Sequence, residues 1–159
     1  MKQLGRFLYL PQIIFWGIDG LVTTFAVVAG ATGGWLSAKT VIIMGIANVL
    51  ADGVSMSIGA YLSTREEHKK NISATLVWFY TFVAFILFGL FPLLPYLLQL
   101  DRNIFLLSCM ITGVSFMLIG YLKGVMNNKS ILRAIVQVVL LGGIAASVAY
   151  YAGVFLGSL

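Results

Sequence analysis

Two aspartates stand where aspartates are costly. Asp19 and Asp52 each lie within a long apolar stretch. A carboxylate in a membrane helix costs at least about 2.5–3.5 kcal/mol on insertion scales, so it usually faces the protein interior and has a role. Neither aspartate has an intramembrane Lys or Arg to neutralise it. An unpaired buried acid holds a proton or binds a cation. Those are the two states between which a proton-coupled cation carrier alternates. The plainer alternative is a carboxylate held by Thr, Asn or backbone donors to lock helix packing.

Spacing sharpens the carrier reading. Asn48, Asp52 and Met56 recur every fourth residue and form one ridge of a helix, and Asp19 and Thr23 share the same spacing. If the two segments run antiparallel, depth can be counted from their shared end, at Ile13 and Leu62. Asp19 and Met56 are each six residues in, and Thr23 and Asp52 each ten, or roughly 9 and 15 Å at 1.5 Å per residue. This predicts two layers, Asp19 with Met56 and Thr23 with Asp52, with Asn48 deeper. Carboxylate and amide oxygens suit any divalent cation. A thioether adds softness that Mg²⁺ and Ca²⁺ do not reward, so the set Asp19, Met56, Asp52 and Asn48 leans toward Fe²⁺ or another transition metal. Alone, a methionine in an apolar helix is packing; the register of Met56 is what brings it into the set.

The elements that must position these residues are membrane spans. The chain has 159 residues, 60% of them hydrophobic and 9% charged, with a mean hydropathy of +1.01. Soluble domains average roughly 45–50% apolar and about 25% charged, so lipid is the solvent here. The reading is an all-α integral membrane protein, a single transmembrane domain over residues 1–159, with five spans of about 20 residues each. They are expected at Ile13–Gly33, Ala38–Leu62, Ala74–Leu98, Ile104–Tyr121 and Ile131–Leu156, leaving no room for a soluble domain. Pro11 takes a first-turn position that proline tolerates. The first span is not a cleavable signal: Asp19 interrupts it and no small-x-small site follows. The single cysteine, Cys109, excludes an intrachain disulfide and a multi-thiolate metal site.

The net charge of +5 does not point to nucleic acid, because the cations flank the apolar runs. Lys2, Arg6, Arg65, Lys69, Lys70, Lys123, Lys129 and Arg133 fall on one side of the expected topology, and only Lys39 and Arg102 on the other. The positive-inside rule then puts the N-terminus in the cytosol and the C-terminus opposite. The last three spans carry no acid and read as scaffold. Gly30 and Gly34, then Gly53, Gly59 and Ala60, then Gly142, Gly143, Ala145, Ala146 and Ser147 are small residues that let helices approach. The mixed-charge stretch Ser63–Lys70 reads as a juxtamembrane turn, in which Glu66, Glu67 and His68 would attract cations to an entrance. His68 has no second His or Cys nearby, so zinc is not expected there. With no Ser–His or paired-acid arrangement in the spans, the chain is not expected to be an enzyme.

The stretch Asp19–Gly30 resembles the first-helix signature of the vacuolar iron transporter (VIT) family, and Ala47–Thr64 resembles its second. The resemblance implies five spans, a cytosolic N-terminus and a homodimer. It also implies export of Fe²⁺ or Mn²⁺ from the cytosol in exchange for protons, with membrane lipid the only other partner. The path would lie at the dimer interface between copies of the first two helices. It maps the family's first-helix aspartate onto Asp19 and its second-helix methionine onto Met56; some members carry the Asn and Asp seen at Asn48 and Asp52. Thr23 would line the path, with Glu66 and Glu67 at its entrance. The membrane would be the plasma membrane of a prokaryote or a vacuolar type. Two departures stand out. Ala60 replaces the glutamate of a Gly-Glu-Tyr triplet common in the family. Only about ten residues stand where plant and protist members carry a Glu- and Met-rich cytosolic domain, so the chain resembles a short form. The competing reading is a non-transporting membrane scaffold or accessory subunit whose acids are structural.

Overall fold

The computed structural model describes residues 9–67, 72–99, 103–128 and 130–159. Within them the chain is helical: α1 (Leu10–Gly33), α2 (Ala38–Glu66), α3 (Ala74–Gly89), a 3₁₀ turn (Phe91–Leu93), α4 (Leu94–Leu97), α5 (Ile104–Met126) and α6 (Ile131–Gly157). Five stretches are long and apolar enough to cross a membrane, the third combining α3, the 3₁₀ turn and α4. This is the integral membrane fold that composition predicts. The cations Lys2, Arg6, Lys69, Lys70, Arg102 and Lys129, together with His68, lie outside the described residues.

Four spans differ from the expected bounds or form. α1 begins at Leu10 and α2 continues to Glu66, past Ile13 and Leu62. α5 continues to Met126, beyond Tyr121, because Lys123 can keep its ammonium in water while its methylene stem lies along the helix. The third span is broken. Pro92 and Pro95 have no N–H to donate, so the helical ladder gives way after Gly89. α5 supports the break: the buried Ser108 hydroxyl donates to the Pro92 carbonyl at 2.7 Å.

α1 is the hub. Within its most apolar window 44% of residues are buried, against 22% for α6. Its partners along α3 and α4 advance in step. The Tyr9 hydroxyl accepts from the Ser73 N–H at 3.0 Å, Gly20 abuts the Phe85 backbone, and Thr32 and Tyr96 share a hydroxyl hydrogen bond of 3.0 Å. The first and third spans therefore run parallel. A side chain on Gly20 would meet the Phe85 carbonyl at 2.6 Å, so glycine is what allows this approach.

α6 also runs parallel to α1, and here the backbones touch. Gly30 and Gly33 lie against Ala149 and Tyr150, and Gly153 packs directly on the Gly30 carbonyl. The expected small-residue face of the first span is used, but its partner is Ala149–Gly157 rather than the earlier cluster. Gly142 instead receives the ring of Phe116, while Gly143 and Gly59 face open space. α5 and α6 form an antiparallel pair in which Gly120 and Gly124 meet Ile135 and Ile131. α2 packs antiparallel on the third span through Val41, Gly45, Val49, Gly53, Ser57 and Ala60, leaving Met44, Leu50, Val54 and Ile58 exposed.

Candidate functional site

The depth of every residue on α1 and α2 is set by the turn between them. Gly34–Ser37 closes it tightly: the Trp35 and Leu36 N–H groups donate to the Thr32 and Ala31 carbonyls at 3.0 and 2.9 Å. Trp35 takes the left-handed backbone (φ 56°) that ends a helix. The Ser37 hydroxyl caps α2 by accepting from the Thr40 N–H at 3.2 Å. Two antiparallel helices leaving so short a turn stay in register with it.

Asp19 lies fourteen residues before Gly33, and Asp52 fourteen after Ala38. Both are therefore roughly 21 Å from the turn. They share a depth, and the glycines that follow them, Gly20 and Gly53, both abut Phe85. Thr23 and Asn48 form the next level toward the turn, each ten residues from it, and Met56 falls level with Phe15. The layers expected from sequence, Asp19 with Met56 and Thr23 with Asp52, are displaced by one helical turn. The cause is the zero of the count. Ile13 and Leu62 are not the ends of the helices, whereas the turn fixes both chains.

Asp19, Thr23, Asn48, Asp52 and Met56 are all half-buried. The Asn48, Asp52 and Met56 ridge runs beside the buried stripe of α2, at the border of its exposed face. In the single chain these side chains are thus partly open. The Thr23 hydroxyl donates to the Asp19 carbonyl at 2.8 Å, so its proton serves its own helix and only its oxygen lone pairs are left for a ligand. The Asn48 Nδ2 is buried without an acceptor. Leaving an amide donor unmet costs about 1–3 kcal/mol, so this side chain is not there for stability.

Glu66 and Glu67 are not brought to this cluster. Glu66 ends α2, fourteen residues and roughly 21 Å from Asp52. Both acids are exposed, and the Ser63 hydroxyl donates to Glu67 at 3.3 Å. Among the described residues, no three of His, Cys, Asp and Glu come together to hold a metal. The chain therefore offers two carboxylates, one amide, one thioether and one hydroxyl oxygen. Neighbouring carboxylates in apolar surroundings bring a proton or a cation with them, and no Lys or Arg among the described residues is paired with either.

Among the described residues, the buried hydroxyls of Thr24 on α1, Thr81 on α3 and Thr112 on α5 have no partner; sequence reasoning marks Thr24 only as one of the polar residues of the first span and misses the other two. Thr24 is fully buried and faces the third span where it narrows at Gly89. No pattern marks these threonines, since an isolated threonine in an apolar run commonly satisfies its hydroxyl on the preceding turn.

Comparison with known proteins gives a consistent answer. The profile of the VIT family matches residues 10–77 and 70–154. A vacuolar iron transporter of Toxoplasma gondii is 46% identical over 59 residues, 37% of this chain and 20% of that one. The vacuolar iron transporter of Plasmodium falciparum is 42% identical over 55 residues, 35% of this chain and 20% of its own length. Vacuolar iron transporter 1 of Arabidopsis thaliana is 41% identical over 56 residues, 35% of this chain and 22% of the relative. The matched segment spans about a fifth of each of these relatives.

Proposed function

The chain belongs to the VIT family, and from that premise we propose that it moves Fe²⁺ or Mn²⁺ out of the cytosol in exchange for protons. The observation that carries the reading is the pairing of Asp19 and Asp52 at one depth on adjacent helices. Two acids that cannot both stay ionised and empty release protons when a divalent cation arrives, and recover them when it leaves. Asn48 contributes an amide oxygen, since nothing holds its Nδ2 in place. Met56, one turn from Asp52 on the same ridge, favours softer ions. Thr23 lines the path with its lone pairs. Glu66 and Glu67 concentrate cations at the end of α2 without touching the cluster.

The half-buried setting of these residues argues for a homodimer, as does the exposed α2 face with Leu50, Val54 and Ile58. In a bilayer, a carboxylate on an open edge would meet hydrocarbon. A second copy packed on α1 and α2 would enclose the path and double its carboxylates to four. The N-terminus lies on the cytosolic side, by the excess of Lys and Arg at that end.

Uptake of Fe²⁺ and Mn²⁺ into proteoliposomes under an imposed pH gradient tests the reading, with internal pH followed in parallel. Metal entry coupled to proton exit is expected, and Asp19→Asn should abolish both. If Asp19→Asn transports as wild type, the acids are structural and the chain is a scaffold or accessory subunit.

A further inference from the structure

Where α5 ends and α6 begins, a cavity of about 650 Å³ is lined by Lys123, Asn127, Arg133 and Gln137. Beside it, between the start of α1 and the end of α5, runs a groove of about 360 Å³ lined by Ile14, Phe15, Ile18 and Met126. Lys123 and Asn127 border both. One space is cationic and polar, the other largely apolar, and they share a border.

Among the described residues, nothing answers the charge here: neither Lys123 nor Arg133 has an acidic partner. Asp19 and Asp52 lie inside the bundle, and Glu66 and Glu67 end α2, which packs against α1, α3 and α4 and not extensively against α5 or α6. The remaining acid, Asp101, lies outside the described residues. Asn127 and Gln137 add neutral hydrogen-bond donors between the two cations.

We propose that this paired cavity and groove hold one anionic phospholipid, its phosphate between Lys123 and Arg133 and an acyl chain along Phe15, Ile18 and Met126. The chemistry of the two spaces selects the occupant. A free phosphate would use the cationic part and leave the apolar groove unused. A zwitterionic lipid would bring its own ammonium to two cations. An anionic lipid satisfies both parts, and basic pockets between helices near a charged leaflet take such headgroups. The lipid would touch α1, α5 and α6 together.

Native mass spectrometry of the full chain in detergent tests this with phosphatidylglycerol, phosphatidylcholine and inorganic phosphate as probes. Phosphatidylglycerol is expected to stay bound where phosphatidylcholine is lost. Replacing Lys123→Gln and Arg133→Gln together should lower its occupancy about 25-fold, at about fivefold per charge. Asn127→Asp, which keeps the side-chain volume and adds a negative charge at the border of both spaces, should lower it as well. Phe15→Ser should weaken retention while leaving the preference for the anionic headgroup. Arg65→Gln, at the end of α2, should change nothing. Equal retention of the two lipids, or wild-type occupancy in the double variant and in Asn127→Asp, would overturn the proposal. So would displacement of phosphatidylglycerol by millimolar inorganic phosphate, which would make this an anion site rather than a lipid site.

Discussion

Asp19 and Asp52 stand at the same depth on adjacent antiparallel helices, each fourteen residues from the turn that joins them. Two like charges in one apolar layer strain the fold. Asp19→Asn and Asp52→Asn should therefore each raise the thermal midpoint in detergent by several degrees, as one costly carboxylate is removed. The same variants should cut metal uptake at least tenfold. Carboxylates that lock the packing would show the reverse: a lower midpoint and, once folded, unchanged transport.

Asn48 separates stability from function in a second way. Its Nδ2 makes no hydrogen bond, so Asn48→Ala removes an unmet buried donor and should leave the fold at least as stable as wild type, by up to about 1–3 kcal/mol more. Uptake should fall severalfold, with the ratio of Fe²⁺ to Mn²⁺ altered as an oxygen ligand is lost. Equal uptake of both ions by Asn48→Ala and wild type would remove Asn48 from the path.

The contact of α1 with α6 depends on glycine at Gly153, because any side chain there would occupy the space of the Gly30 carbonyl. Gly153→Leu should destabilise the bundle by more than about 3 kcal/mol, as overpacking does in a close-packed interior. Fluorescence-detected size exclusion after heating reports it directly. Gly143→Leu, at a position with open space around it, is the matched control and should behave as wild type.

The break in the third span rests on one hydroxyl. Ser108→Ala takes the donor from the buried Pro92 carbonyl and should cost about 1–3 kcal/mol. Hydrogen exchange should speed up at Phe91, Leu93 and Leu94 more than in the middle of α5. Uniform exchange across both regions would mean that the hydrogen bond is not what holds the break.

The spans were legible because apolar runs of that length have one solution in lipid. The site residues were legible as types, since an aspartate in such a run declares itself. Their register was not read correctly, although the sequence contained what was needed. Gly33, Gly34 and Ala38 mark a short turn, and a short turn fixes antiparallel depth. Counting from Ile13 and Leu62 relied instead on helix ends at the water interface. There Arg65 and its neighbours extend α2 without a hydropathic signal. The pairing of Gly30 with Gly153 was beyond sequence reasoning for another reason: small residues recur throughout the fifth span, and nothing local distinguishes Gly153 from Gly143.

That same pairing sets an order of events during synthesis. Gly30 and its partner Gly153 are separated by 123 residues. At about 5–20 residues per second the ribosome takes roughly 6–25 s to make them. Until Gly153 is made the glycine face of α1 has no partner, although α2 and the third span, made earlier, already supply the surroundings of Asp19. The first helix made is thus completed by the last. An insertase or chaperone that shelters α1 over those seconds would find there one bare backbone stripe.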